Sequence, residues 1–155
     1  MEYAKDSEFL KDFVLRTKAN ISMCQTPYEV TLLVNSLIGL LILPKEQYYQ
    51  NIQDDMIDLQ LLTTIKQKIT INSPEANYNL KQIVRRLRNA IAHFNIECKA
   101  DMETHEIDHI IFSDFDRGNN SQTPNFQISL SVDLMNQFVY QFSESISNIV
   151  AEEIN

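Results

Sequence analysis

Three of the five arginines in this 155-residue chain lie within four positions of one another, and a histidine follows five residues after the last. The run is Arg85-Arg86-Leu87-Arg88-Asn89-Ala90-Ile91-Ala92-His93. An imidazole moves protons near neutral pH. A guanidinium presents a planar fork of donors to a phosphate or to the crowded anion formed when one is attacked. A carboxamide can orient either group. Residues of these types are equipped to handle a phosphodiester, and no metal or cofactor is needed for that chemistry.

The element that must position them is a helix. Leu80, Ile83, Val84, Leu87, Ile91 and Phe94 recur at three- and four-residue steps, the spacing of one apolar stripe on an α-helix from Asn79 to Phe94. Arg85, Arg86, Arg88, Asn89 and His93 fall off that stripe. Asn89 and His93 are four apart and share a face, whereas Arg88 and His93 are about 140° apart around the axis. Arg88 needs its long reach, or a loosened last turn, to converge with His93. The period changes after Phe94, so His93 stands at the helix C-terminus, where unpaired carbonyls favour positive charge. That suits a general acid.

The order Arg88-Asn89-Ala90-Ile91-Ala92-His93 matches the Arg-x4-6-His signature, with a polar residue after the arginine, of the HEPN ribonucleases. Upstream, Arg16 to Asn20 and the run Tyr28 to Leu41 look like the first two helices of a bacterial single-domain branch of that family. The resemblance spans roughly residues 9 to 94. It implies metal-independent RNA cleavage, in which the 2′-hydroxyl attacks the adjacent phosphate and leaves a 2′,3′-cyclic phosphate. Paired motifs from two subunits would meet in a homodimer. Arg88 and His93 are carried over as catalytic, with Asn89 orienting His93 or the phosphate; Arg85, Arg86 and Lys81 are added as RNA contacts. One HEPN subgroup has a modified tyrosine two residues after the histidine, and here Asn95 stands there. A toxin or antiviral role, with an antitoxin or regulatory protein as partner, is implied by the resemblance alone.

Composition narrows the setting. The chain carries only two glycines and four prolines, against a usual glycine share of about 7%, so long helices and few tight turns are expected. Cys24 and Cys98 suggest neither a disulfide framework nor a zinc site. The N-terminus shows no secretory pattern, and a cytoplasmic location is expected. Val30 to Leu43 is apolar over 14 residues, short of the about 20 that span a membrane. Net charge is −8, which argues against indiscriminate nucleic-acid binding. Yet Lys66 to Arg88 holds six basic residues and one acid. A basic strip on an acidic body would confine a polyanion to one place.

Taken in order, Asp6 or Ser7 caps a first helix with a stripe at Phe9, Leu10, Phe13, Val14, Thr17 and Ile21. Arg16 and Asn20 lie on its polar face. Thr26-Pro27-Tyr28-Glu29 is a capping box with proline at the first helical position. The second helix runs to Leu43, is ended by Pro44, and should lie in the middle of a bundle. Gly39 within it predicts close approach by another helix, and Asn35 and Ser36 are expected to be satisfied polar groups near the core.

Lys45 to Gln53 reads as a connection. Asp54, Asp55 and Asp58 read as the acidic first turn of a third helix reaching Ile69, in preference to a metal cluster. Asn72-Ser73-Pro74 separates it from the central helix. Ile96, Cys98, Ala100 and Met102 then alternate with charged residues as in a half-buried strand. Ile107 to Phe115 and Phe126 to Leu130 are β-rich, with a loop from Asp116 to Asn125 between them. His105 and His109, placed on one strand face, would stand about 13 Å apart, too far to share an ion. Ser131 can cap a last helix whose stripe is Leu134, Phe138, Phe142, Ile146 and Ile149.

The expected protein is mainly α, a HEPN-like bundle of four to five helices with a small antiparallel β insertion before the last. One domain covers 1–155, with no membrane association. The expected function is a metal-independent endoribonuclease with a composite site in a homodimer. The alternative is a noncatalytic dimeric module that holds a nucleotide or a partner protein.

Overall fold

The computed structural model describes residues 6–23, 29–42, 49–70, 77–115 and 123–152. Among them are five α-helices: α1 (Asp6–Met23), α2 (Glu29–Ile42), α3 (Leu59–Gln67), α4 (Leu80–Ala92) and α5 (Val132–Glu152). Four strands, β1 (Ile69–Thr70), β2 (Ile96–Ala100), β3 (Ile107–Asp114) and β4 (Phe126–Ser131), form one antiparallel sheet in the order β1-β4-β3-β2. The sheet is therefore larger than a small insertion. Strand β1, Ile69–Thr70, begins at the residue expected to end the third helix, which stops at Gln67. Two residues that pair with Ile128 and Gln127 are too few to leave a period of their own.

Helix α5 packs along α1 and against α2, α3, β3 and β4, while α4 lies against β3 and α2. The stripes read from the sequence are the buried ones. Leu80, Ile83, Val84, Leu87 and Ile91 of α4 are buried, as are Leu134, Phe138, Phe142 and Ile146 of α5. In α1, Val14 and Thr17 are buried. Helix α2 has one exposed edge, at Thr31 and Asn35, and Ser36 is buried. A Cβ on Gly39 would meet the Phe13 ring at 2.2 Å, so α1 supplies the close approach.

Helix ends follow local chemistry. Asn79 caps α4, accepting from the Gln82 N–H at 2.9 Å while Gln82 Oε1 accepts from the Asn79 N–H at 2.9 Å. Ser131 Oγ accepts from the Leu134 N–H at 3.2 Å, as a cap for α5. The acidic run behaves differently from its expected role. Asp54 to Met56 form a 3-10 turn, and the helix starts only at Leu59, capped by Asp58. Asp54 reaches instead to the next element: its Oδ1 accepts from the Leu80 N–H at 2.6 Å and its Oδ2 meets Lys66 Nζ at 3.5 Å. A carboxylate on orphan N–H groups at a helix start is favoured by the helix dipole.

Asp6 and Ser7, expected to cap α1, lie within that helix, and the expected box from Thr26 to Glu29 falls largely outside the described residues. So do Cys24, the Pro44 stop, Asn72-Ser73-Pro74 and most of the loop after Asp116. No described helix is long and apolar enough to cross a membrane.

Replacing Asp54 by Ala should lower stability by about 1–2 kcal/mol, since it removes a helix-start carboxylate. The neighbouring Asp55→Ala should stay within about 0.5 kcal/mol. Urea midpoints at constant m-value measure both.

Candidate functional site

The polar residues of α4 divide between two sides. Arg88 lies with its Cζ 4.9 Å from the centre of the Tyr49 ring, a cation–π contact. Lys81 Nζ donates to Gln50 Oε1 at 3.0 Å on the same side of the helix. Arg85, Arg86, Asn89 and Gln82 instead line a cavity of about 550 Å³, closed by Asp114 at the end of β3 and flanked by Tyr78 and Phe115. Neither Arg88, Lys81 nor His93 lines it. The pattern that groups Arg85, Arg86, Arg88 and Asn89 beside one stripe thus resolves into two faces. Arg86 and Arg88 are about 160° apart around the axis.

Asp114 is the residue that sequence reasoning missed. It is only 3% exposed, and its Oδ2 accepts from Arg86 Nη1 at 2.7 Å and from Asn89 Nδ2 at 3.2 Å. A carboxylate out of water must be paired or hydrogen-bonded, and α4 supplies both partners from successive turns. A signal was present. Ile110 and Phe112 are inward-facing and fully buried, so two-residue periodicity carries Asp114 to the same face. An acid there requires a cation opposite. The contact orients Asn89 and Arg86 toward the cavity and leaves Arg85, which is exposed, as its outer cation.

His93 ends α4 as its C-cap and is exposed, as a position at the helix terminus requires. The backbone then closes a Schellman motif, in which the Asn95 N–H reaches the Ala90 carbonyl at 2.8 Å and the Phe94 N–H the Ile91 carbonyl at 3.0 Å. The left-handed position of that motif, at φ 58°, is held by Phe94, a residue with a Cβ and a bulky ring. Phe94 therefore does not continue the apolar stripe: it is 86% exposed. The helix ends before the side chain could turn inward. Left-handed backbone at a non-glycine residue costs about 1–2 kcal/mol, and here no burial of the ring offsets it.

On the other side, Tyr49 is buried and its Oη donates to the Leu41 carbonyl of α2. Burial pushes this phenol up from 10.0 to about 12, against a smaller opposing pull from Arg88. Arg16 pairs with Asp12 one turn back at 3.5 Å, and Asn20 is exposed on α1. His105 sits in the turn between β2 and β3 with φ 59°, so it does not share a strand face with His109 as expected; His109 Nδ1 lies 2.6 Å from Asp108. Among the described residues no three His, Cys, Asp or Glu side chains cluster so as to hold a metal ion.

Arg88, Asn89 and His93 are thus carried by one helix of a bundle backed by an antiparallel sheet. The family model described as HEPN pEK499 p136 matches residues 1–153, and the chain belongs to that family. No curated protein and no solved structure matches the chain.

Three outcomes follow for this region. Asp114→Ala leaves Arg86 without its carboxylate and should cost about 2 kcal/mol, read from the urea midpoint. Phe94→Gly should raise stability by about 1 kcal/mol in the same measurement, because glycine takes the left-handed position without strain. The raised Tyr49 ionisation makes the fold tighter while the phenol stays protonated. That contribution is complete below pH 10.0 and is lost as pH climbs through about 12. An alkaline stability profile should show the loss, and Tyr49→Phe should flatten it.

Proposed function

We propose that this protein is a metal-independent endoribonuclease that works as a homodimer. The observation that carries the reading is the intact Arg88, Asn89 and His93 set on α4 in a chain of the HEPN family, with His93 exposed at the helix end. In the reaction the 2′-oxygen bonds to phosphorus and the bond to the 5′-oxygen breaks. One imidazole accepts the 2′-hydroxyl proton and a second, from the other copy, protonates the departing 5′-oxygen. Arg88 stabilises the phosphorane, and its stacking on Tyr49 limits the side chain's freedom before substrate arrives. Asn89 is held by Asp114 and orients the phosphate.

The cavity next to these groups suits the flanking RNA. Arg85 and Arg86 would meet a backbone phosphate, and Tyr78 and Phe115 offer ring faces for an unstacked base. Lys81 extends the basic track on the Tyr49 side. Two small cationic faces on a chain of net charge −8 favour local over indiscriminate engagement of RNA. We read residues 1–155 as one domain, on the strength of a family match that covers nearly all of it. A toxin or defence effector restrained by an antitoxin would be a natural setting for such an activity.

A second reading is favoured by the same cavity. Its volume falls within the range of small-ligand sites, about 300–1,000 Å³, and it excludes Arg88 and His93. A noncatalytic module holding a nucleotide there would use Arg85 and Arg86 without needing His93.

Incubation of RNA with wild type, Arg88→Ala and His93→Ala in EDTA separates the two. Wild type should yield cyclic-phosphate ends, and each variant should lose about 100-fold or more of the rate. No cleavage by folded wild type, with nucleotide binding that Arg85→Ala abolishes and His93→Ala spares, would sink the nuclease and establish the binding module.

A further inference from the structure

Strand β2 is an open edge. Among the described residues its single strand partner is β3, and all its residues but Ile96 are exposed. The Ser113 N–H donates to the Asn95 carbonyl, and hydrogen-bonded and non-bonded pairs alternate in an antiparallel ladder. Asn95, Glu97 and Lys99 therefore turn their backbone groups toward β3, while Ile96, Cys98 and Ala100 turn theirs outward. Ile96 and Cys98 pair with the buried Phe112 and Ile110, so their side chains lie on the helix-bearing face of the sheet. Glu97 and Lys99 lie on the other face.

An edge of this kind is usually guarded by proline, by charged side chains or by a bulge; β2 has no proline, and its register with β3 shifts only between Lys99 and Ala100. Here the charges are opposite and symmetric about Cys98. We propose that β2 pairs antiparallel with β2 of a second copy of this chain, across a two-fold axis at Cys98, to make one continuous eight-stranded sheet.

The register is self-complementary, as a two-fold interface must be. Glu97 of each copy stands opposite Lys99 of the other, in a non-hydrogen-bonded pair where side chains are closest. Ile96 stands opposite Ala100. Just beyond the strand ends, four residues either side of Cys98, lie Phe94 and Met102, which are 86% and 91% exposed. The axis brings Phe94 of one copy to the end of the strand that carries Met102 of the other, and a thioether against an aromatic ring is favourable. This gives the strained, exposed Phe94 ring something to cover. The turn bearing Met102 is held by Asp101, whose Oδ1 accepts from the Glu103 and Thr104 N–H groups at 2.8 Å each. Cys98, a free and exposed thiol, meets its own copy in a hydrogen-bonded pair with Cα atoms about 5.5 Å apart, within disulfide range.

This surface is distinct from a pairing of two α4 motifs. The axis lies at Cys98 on β2, whereas His93 caps α4, before that strand begins. The proposal therefore stands or falls separately from the nuclease reading, and RNA cleavage does not report on it.

The test uses the full chain carrying Cys24→Ser, so that Cys98 is its one thiol. Amide exchange of residues 95–101 should slow with rising protein concentration, and mild oxidation should give a disulfide dimer. Lys99→Glu sets like charges opposite each other twice, and so does Glu97→Lys. Each should cut the concentration-dependent protection of residues 95–101 and the rate of disulfide trapping about tenfold. The double variant Glu97→Lys/Lys99→Glu should restore both. Exchange independent of concentration, or trapping that the single swaps leave unchanged, or a double variant no better than the singles, would overturn the pairing. Circular dichroism of each variant identifies any loss that comes from misfolding, and the double variant keeps the test decisive in that case.

Discussion

The buried carboxylate of Asp114 sets the geometry of everything around it. Among the described residues it is the only charged side chain in the interior, and a charge removed from water must be met by partners held in place. Arg86 and Asn89 are those partners, one turn apart on the same side of α4. Their attachment to the end of β3 fixes the rotation of the helix about its axis. With that rotation fixed, the apolar stripe from Leu80 to Ile91 faces the core, and Arg88 is carried round to Tyr49. The cavity and the Arg88 contact are two consequences of one ion pair.

The ends of α4 are determined as firmly as its rotation. At the start, the Asn79 and Gln82 capping box is joined by Asp54, which crosses from a separate turn to accept from Leu80. At the finish, the Schellman motif reverses the chain within three residues. That reversal leaves His93 on the surface, sends Phe94 outward and delivers β2 to the edge of the sheet. The left-handed Phe94 is a local cost that the surrounding hydrogen bonds sustain, and strain of this kind gathers where a surface is used. The exposed His93, the left-handed Phe94 and the edge strand β2 are neighbours because one backbone motif produces all three.

The sheet gives the bundle a second layer. Its helix-bearing face, with Ile110, Phe112, Ile128 and Leu130, completes the core with α4 and α5. At β2 that face runs past the helices, and alternation alone does not bury Cys98 or Ala100. A strand can have the pattern of a half-buried element and still lack a cover, because the cover comes from another part of the chain or from another chain.

Much was determined by the sequence itself. Helical stripes at Val14 and Thr17, at Leu80 to Ile91 and at Leu134 to Ile146 face the core as spacing dictated, and Ser131 caps the last helix. Gly39 marked the approach of α1. Family membership was legible in Arg88, Asn89 and His93 with the helices before them. These are local properties: periodicity, caps and motif spacing all lie within one element. Tertiary structure alone decided what depends on contacts between distant residues. It turned Asp54 from a helix-start acid into a cap for α4, placed Ile69–Thr70 beside β4, and divided the cationic helix into two faces. It also buried Asp114 between two residues some 25 to 28 positions away in sequence. Periodicity states which side of an element is apolar; only the packing of elements decides which charge meets which partner.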